Sequence, residues 1–275
     1  MTESEFINYI EKLGIYYNED MLNKLNRYYE MLIDYNKIMN LTGITEKKQV
    51  YLKHFYDSLT IVKVIDLKKY KTLCDIGTGA GFPGLVLKIF FPKLQITLID
   101  SLNKRINFLN DVIKELNLND IETIHSRIED YAHKNKNKFD IVTARAVAPL
   151  NILLEYSIPV VKEKSYFIAL KGKIDDEKIY LNALKKLNSK ILLIDNFKLP
   201  FENSDRTIYK IQRNGKLEKK YPRNIQIIKN KPWFEEVDCS MKLANIICNI
   251  NEDKPIGNLL NAKKETVEKI KMLVN

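Results

Sequence analysis

Apolar positions in the first part of the chain recur at helical spacing. Residues 4–13 and 19–39 read as two helices, the second with Leu22, Leu25, Tyr29, Leu32 and Met39 at intervals of three, four, three and seven. Such a stripe occupies one helical face and needs something to pack on. Asn40, Leu41, Thr42 and Gly43 interrupt it, and a further helical stretch is expected over about residues 47–65. From Lys71 the period changes. β-rich runs at 72–76, 96–99, 121–125, 139–143, 166–170, 191–196 and 207–212 are interleaved with helical runs at 83–91, 102–116, 150–161 and 175–187. Strands that alternate with helices imply crossover units and a parallel sheet. Only residues 199–205 join the last two runs, too few for a helical crossover, so the final strand should be antiparallel. The expected fold is α/β: a Rossmann-like, seven-stranded, mostly parallel sheet with the last strand reversed. Three regions are expected: a helical cap at 1–66 packing on the core, the core at 67–233, and a C-terminal extension of unknown role at 234–275.

Composition narrows the class. With 275 residues, 45% of them hydrophobic, the chain can bury a sizeable core, which excludes global disorder and a small disulfide-stapled scaffold. The longest apolar runs, such as 158–161 and 191–194, are far shorter than the ~20 residues of a membrane-spanning helix, and no membrane association is expected. The opening Met1, Thr2, Glu3, Ser4, Glu5 is acidic and is not followed by a secretory signal pattern, so a cytoplasmic location is expected. Cys74, Cys239 and Cys248 are odd in number and lack zinc-ligand spacing, which fits a reducing compartment. His125 and His133 have no metal-ligand neighbours in sequence, and no metal is expected. Forty-five basic against 35 acidic residues give a formal charge of +10. That balance points to a polyanionic partner such as nucleic acid, although a composition this rich in Lys, Asn and Ile produces the same charge with no partner. A monomer is expected.

Nine glycines serve the whole chain, yet Gly77, Gly79, Gly81 and Gly84 fall within eight residues, directly after the first expected strand and opening a helix. A strand-turn-helix at the edge of a parallel sheet is where doubly wound folds bind nucleotides. The stretch from Gly79 to Gly84 matches the dinucleotide pattern G-x-G-x-x-G, a weak signal alone. Asp75, at the strand end, would repel a pyrophosphate but attract the ammonium group of S-adenosylmethionine, directly or through water. Asp100, closing the second strand, suits two ribose hydroxyls. The two acids favour S-adenosyl-L-methionine over NAD, and an NAD-dependent oxidoreductase stays as the alternative.

The segments Leu73 to Gly84 and Leu98 to Arg105 resemble the RsmG (GidB) family of bacterial small-subunit ribosomal RNA guanine-N7 methyltransferases. Tyr35 to Lys37, Asn40 to Thr42 and His54 to Ser58 resemble that family's N-terminal signature. Ser126 to Asp130, Ala144 to Ala146, Ala169 to Gly172 and Lys220 to Arg223 are similar to its later blocks. The resemblance covers about residues 1–233. It departs at Asn224 to Ile227, where the family continues with a basic residue, a small pair and a proline, and residues 234–275 have no counterpart in it.

The resemblance implies a class I methyltransferase fold, S-adenosyl-L-methionine as cofactor, and 16S ribosomal RNA or the small ribosomal subunit as partner. It implies that Gly77 and Phe82 line the cofactor beside Asp75, Gly79 and Asp100, with Ile128 and Glu129 at the adenine end in the loop after the third strand. Arg145 is then the junction of cofactor and substrate and the candidate for substrate positioning. Among possible phosphate contacts (Lys104, Arg105, Arg127, Arg145, Lys171, Arg206, Arg223) it marks Arg105, Arg145, Lys171 and Arg223. The residues themselves are consistent: there is no cysteine beside the fourth strand and no Asn/Asp-Pro-Pro-aromatic clamp after it. Guanine N7 carries an in-plane lone pair and loses no proton, so positioning could suffice. His54, Asp57 and Ser58 share a helical face but lack a nucleophile elbow, which rules out a hydrolase triad. A non-catalytic RNA-binding assembly factor is the remaining alternative.

Overall fold

A capping box starts the first helix, α1 (Glu3–Lys12): the Glu5 amide donates to the Thr2 hydroxyl and the Thr2 amide donates to Glu5 Oε2. The next helix, α2 (Glu19–Met39), begins where Asn18 Oδ1 accepts the Met21 amide and ends at Asn40, whose φ of 49° stops helical propagation. The computed structural model describes residues 1–230, so the expected extension at 234–275, with Cys239 and Cys248, lies outside the described residues.

The buried face of α2 is Met21, Leu25, Tyr28, Met31 and Leu32, displaced from the stripe expected from spacing. Tyr29 stays half-buried with its hydroxyl on the Thr45 carbonyl, while Tyr28 is fully buried among Phe55, Phe82 and Phe108 with its hydroxyl on the Ala80 carbonyl. The helix expected at 47–65 is broken. It comprises α3 (Lys47–Val50), a π-helical turn over Tyr51–Tyr56, α4 (Asp57–Leu59) and a 3₁₀ turn over Thr60–Lys63. Packing overrides periodicity here, since His54, Phe55, Tyr56, Asp57 and Ser58 are all buried. π turns of this kind concentrate at functional sites.

The seven strands are β1 (Thr72–Ile76), β2 (Gln95–Asp100), β3 (Ile121–His125), β4 (Phe139–Arg145), β5 (Val161–Lys171), β6 (Ser189–Lys198) and β7 (Asp205–Arg213). Their spatial order is β3-β2-β1-β4-β5-β7-β6, with β7 antiparallel to both neighbours and the other pairs parallel. The connecting helices are α5 (Gly84–Phe90), α6 (Asn103–Glu115), α7 (Ile128–Lys134), α8 (Leu150–Ser157) and α9 (Glu177–Lys186). The spacing did not anticipate α7, and it turns the expected adenine-end loop into the first turn of a helix carrying Ile128 and Glu129.

Strand side chains alternate between two cores. Leu73, Leu98, Ile141, Ile168 and Ile208 face the cluster built with α2, the 47–67 segment, α5 and α6. Cys74, Ile99, Val142, Phe167 and Tyr209 face the opposite cluster with α7, α8 and α9. The N-terminal helices thus cover one face of the sheet, and the chain reverses its winding direction between β1 and β4, where ligands of open α/β sheets bind.

After β7 the chain is pinned by a buried ion pair. Arg223 Nε and Nη2 donate to the two carboxylate oxygens of Glu155 at 2.7 Å each, and the Arg223 amide donates to Oε1 at 3.0 Å. Glu155 on α8 is only 1% exposed. Arg223→Ala strands that carboxylate, and the expected loss is about 3 kcal/mol of unfolding free energy in urea denaturation. A change below about 0.5 kcal/mol, the range of an ordinary surface substitution, would show that the pair does not hold the segment.

Candidate active site

Register places the chain exits side by side. Ile76 pairs with Ile99 and Ala144, Asp100 with His125, Arg145 with Leu170, and Lys171 with Thr207. The turn leaving β1, Asp100, Arg145, Lys171 and Arg206 therefore meet at one edge of the sheet.

The glycine turn is organised from beneath. Asp75 Oδ2 accepts from the Thr78 hydroxyl at 2.7 Å and from the Gly84 amide at 2.8 Å, tying together the two ends of the turn. A Cβ at Gly84 would collide with Leu98 and Asp75, so glycine is needed there for close approach. The Thr78 amide donates to the Ile99 carbonyl at 3.1 Å and the Gly79 amide to Asp100 Oδ2 at 3.0 Å, which fastens the turn to β2. Gly77 and Gly79, at φ of 64° and 62°, supply the left-handed bends.

A cavity of ≈ 180 Å³ lies beside this turn, lined among others by Gly77, Asp100, Ile128, Glu129, Val147 and Tyr156. Four residues expected at a cofactor, Gly77, Asp100, Ile128 and Glu129, thus come together. Asp100 is engaged at three points: Oδ2 takes Gly79 and Arg105 Nη1, the latter at 3.2 Å, and Oδ1 takes the Leu102 amide at 2.9 Å. A carboxylate has about four lone-pair directions, which leaves room for a ligand hydroxyl. Glu129 is buried with no hydrogen-bond partner for Oε1 among the described residues; Arg127 Nη1 stands 3.8 Å from it. That orphaned acceptor, and an apolar wall at Ile128, fit a ring with an exocyclic amine. Tyr156, which sequence reasoning missed because α8 reads as a plain apolar helix, also lines the wall. Burial, with Glu129 nearby, pushes its phenol up to about 12, so it is a neutral donor.

Four expected cofactor residues do not line this cavity; one is Gly79, whose amide is bonded to Asp100. Asp75 is fully buried under the turn, is absent from the cavity lining, and shapes the loop. Phe82 is 5% exposed and forms the floor of an aromatic stack, with His54 at 4.5 Å and Tyr28 at 5.5 Å between ring centroids. Arg145 Cζ lies 5.3 Å from the Phe82 ring centre. Arg145 opens on a second cavity of ≈ 300 Å³, shared with His54, Asp57, Lys171 and Arg206 among others. The two cavities have no lining residue in common; the end of β4 separates them, with Arg145 and Ala146 on one side and Val147 on the other.

In the second cavity Arg145 donates to the Lys53 carbonyl at 2.8 Å, to Asp57 Oδ2 at 3.2 Å and to His54 Nδ1 at 3.2 Å. The His54 ring therefore carries its proton on Nε2, which donates to the Thr42 hydroxyl at 2.9 Å. Burial and the Arg145 charge push its pKa down to about 3, so it is neutral. The histidine and aspartate of the N-terminal signature thus meet the β4 arginine. The expected RNA contacts are all engaged within the protein: Arg105 with Asp100, Lys171 with Asp175 at 3.2 Å and the Ala148 carbonyl at 3.0 Å, and Arg223 with Glu155.

Burial pushes Asp75 up to about 7 from 3.8, against the opposing effect of its two hydrogen bonds, and its Oδ1 has no partner among the described residues. The folded state then binds more protons than the unfolded state between these values, so this group's contribution to stability falls as pH rises from about 4 to about 7. Asp75→Asn mimics the protonated acid and removes the dependence. The Tm of the variant minus that of the parent should increase with pH across this window; a constant difference would show that Asp75 is ionised throughout.

Comparison with known proteins identifies the family. A model of the family described as GidB, rRNA small subunit methyltransferase G, matches residues 21–191. A ribosomal RNA small subunit methyltransferase G of Bacillus licheniformis is 45% identical over 227 residues, covering 81% of this chain and 95% of that protein. One from an Exiguobacterium species is 46% identical over the same shares. Among solved structures, a SAM dependent methyltransferase from Aquifex aeolicus is 18% identical with a TM-score of 0.46, covering 62% of this chain and 96% of that one. On the family match and on relatives spanned over nearly their whole length, the chain belongs to the GidB family, rRNA small subunit methyltransferase G.

Proposed function

We propose that this protein transfers the methyl group of S-adenosyl-L-methionine to N7 of a guanine in 16S ribosomal RNA of the small subunit. The observation that carries the reading is the pair of cavities divided by the end of β4, one with buried acids and the other with clustered cations. When bound, the cofactor supplies an electrophilic methyl group. In the first cavity, Gly77 lets the backbone come close to it, Asp100 takes the ribose hydroxyls, and Ile128 with Glu129 takes the adenine, while Gly79 fastens the turn to Asp100. Asp75 acts one layer below by holding the turn, and Phe82 by backing it. In the second cavity, Arg145 orients the nucleotide, with Lys171 beside it; Arg105 is held on Asp100, at the first cavity.

Among the described residues of the second cavity none is poised as a general base. His54 has both ring nitrogens engaged, and Asp57 is held by two arginines. Attack by guanine N7 needs no proton removed, so orientation of the in-plane lone pair toward the methyl group is the remaining requirement. The helical region 1–66 serves as a cap that walls this cavity, contributing Ile44, Lys53, His54 and Asp57. Both cavities are built by one chain, which suits action as a monomer. No described helix is long and apolar enough to cross a membrane.

Radiolabelled S-adenosylmethionine incubated with unmodified small-subunit particles should place label in 7-methylguanosine after nucleoside digestion. Label in another nucleoside would overturn the N7 assignment, and RNA binding without turnover would favour the non-catalytic alternative. Tighter binding of NAD than of S-adenosylmethionine would restore the oxidoreductase reading. A Cβ at Gly77 would stand 2.8 Å from Val147 Cγ2 at a left-handed φ of 64°. Gly77→Val should therefore weaken S-adenosylmethionine binding by about tenfold to a hundredfold in calorimetric titration. Unchanged affinity would mean that the cofactor does not pass this turn.

A further inference from the structure

Asp57 draws two guanidinium groups from distant parts of the chain onto one carboxylate. Its Oδ2 accepts from Arg145 Nη1 at 3.2 Å and its Oδ1 from Arg206 Nε at 3.0 Å, across sequence separations of 88 and 149 residues. Asp57 is nearly enclosed, with its side chain 7% exposed, whereas those of Arg145 and Arg206 are 15% and 19% exposed. Arg145 ends β4, Arg206 is the second residue of β7, and the carboxylate comes from the N-terminal cap.

The charges around this cluster do not cancel. One carboxylate faces two guanidiniums, and the other cations nearby have acids of their own: Lys53 with Glu202 at 3.0 Å and Lys171 with Asp175 at 3.2 Å. His54 is neutral and accepts from Arg145. A positive charge is left over. Donors are left over as well, because Arg145 Nε and Arg206 Nη2 have no hydrogen-bond partner among the described residues. An Arg-Asp-Arg cluster whose only task was to glue cap to sheet would use up its donors and be fully enclosed. This one opens on the ≈ 300 Å³ cavity, next to Gly172, where no atom lies within 4 Å of a would-be Cβ. Two adjacent guanidiniums with free donors fit a doubly coordinated oxyanion, and a phosphate is matched by that fork geometry.

We propose that Asp57 is a positioning residue that holds Arg145 and Arg206 side by side as a clamp for a backbone phosphate of the RNA, beside the target nucleotide. This rests on the RNA methyl-transfer reading above. The cofactor's own carboxylate is the other oxyanion in the reaction, but Asp57, Arg145 and Arg206 are absent from the wall of the acidic cavity, whose edge at Val147 stands between. A phosphate contact fixes register without reading sequence. The clamp would therefore set how the RNA enters, leaving the choice of base to other groups.

The test measures initial methylation rates of the full-length protein on unmodified small-subunit particles over a range of salt, with cofactor affinity measured separately by calorimetry. Arg206→Gln should raise the RNA KM by about tenfold, keep kcat within about twofold, leave cofactor affinity unchanged and flatten the salt dependence of kcat/KM by about one phosphate contact. Arg206→Lys keeps the charge and loses the fork, so the salt slope should return while KM recovers only in part. It also serves as the second variant should Arg206→Gln fold poorly. Asp57→Asn should raise KM in the same direction, because it removes the charge that allows the two arginines to sit together. An unmoved KM and salt slope in Arg206→Gln would overturn the clamp. So would a loss confined to cofactor affinity, which would assign the oxyanion to the cofactor. Absence of turnover by the parent protein would overturn the methyl-transfer reading and the clamp with it, whereas parent turnover with an unaffected Arg206→Gln would remove the clamp alone.

Discussion

The site depends on a carboxylate that never reaches it. Asp75 lies fully buried at the end of β1 and bonds both the Thr78 hydroxyl and the Gly84 amide, so the glycine turn is closed across its base. A turn with three left-handed glycines would otherwise be costly to order, since glycine loses more backbone freedom on folding than any other residue. Closing the base fixes where Gly77 and Gly79 expose backbone and where the Gly79 amide meets Asp100. Enclosure has a cost too, because burial disfavours the charged carboxylate, and only two of its lone-pair directions are used. The turn is therefore held by a group whose own state is set by desolvation.

Above that turn, charge is partitioned. Acids line the cavity between β1, β2 and α7, and cations cluster in the cavity between β4, β5, β7 and the cap. Arg145 and Ala146 line the second cavity and Val147 the first, so the two cavities adjoin across consecutive residues. The aromatic stack of Tyr28, Phe82 and His54 joins the two sides mechanically, since Phe82 belongs to the glycine turn while Tyr28 and His54 belong to the cap. Burying Tyr28 with its hydroxyl on the Ala80 carbonyl ties α2 directly to the turn. The cap thus walls the second cavity as well as covering one sheet face.

Much of the fold was legible because its signals are local. The change from helical to strand spacing near Lys71, the crowding of glycines after β1 and the short link before β7 each follow from chain geometry, and the sheet takes that form. The family resemblance rested on the same segments and is met by the family match. Local signals misled where tertiary packing chose among equals. Tyr28 and Tyr29 are chemically identical neighbours, each with a backbone carbonyl for its hydroxyl, and the packing of Tyr28 among Phe55, Phe82 and Phe108 decides which is buried. The helix expected at 47–65 breaks into π and 3₁₀ turns because its buried side chains answer to the sheet. The two-turn helix α7 is too short to announce itself by period.

For the site, sequence by itself determined the glycine turn, the acid at the end of β2 and the presence of Arg145 at the end of β4, because each sits at a strand end whose position follows from the order of elements. Tertiary structure alone decided what those groups face. It enclosed Asp75, turned Phe82 and Arg145 toward the cap, committed Arg223 to Glu155, and brought Asp57 to Arg206 across 149 residues. The physical reason is that a charge takes its role from its partners and its exposure to water, and both are set by contacts between segments that spacing along the chain does not encode.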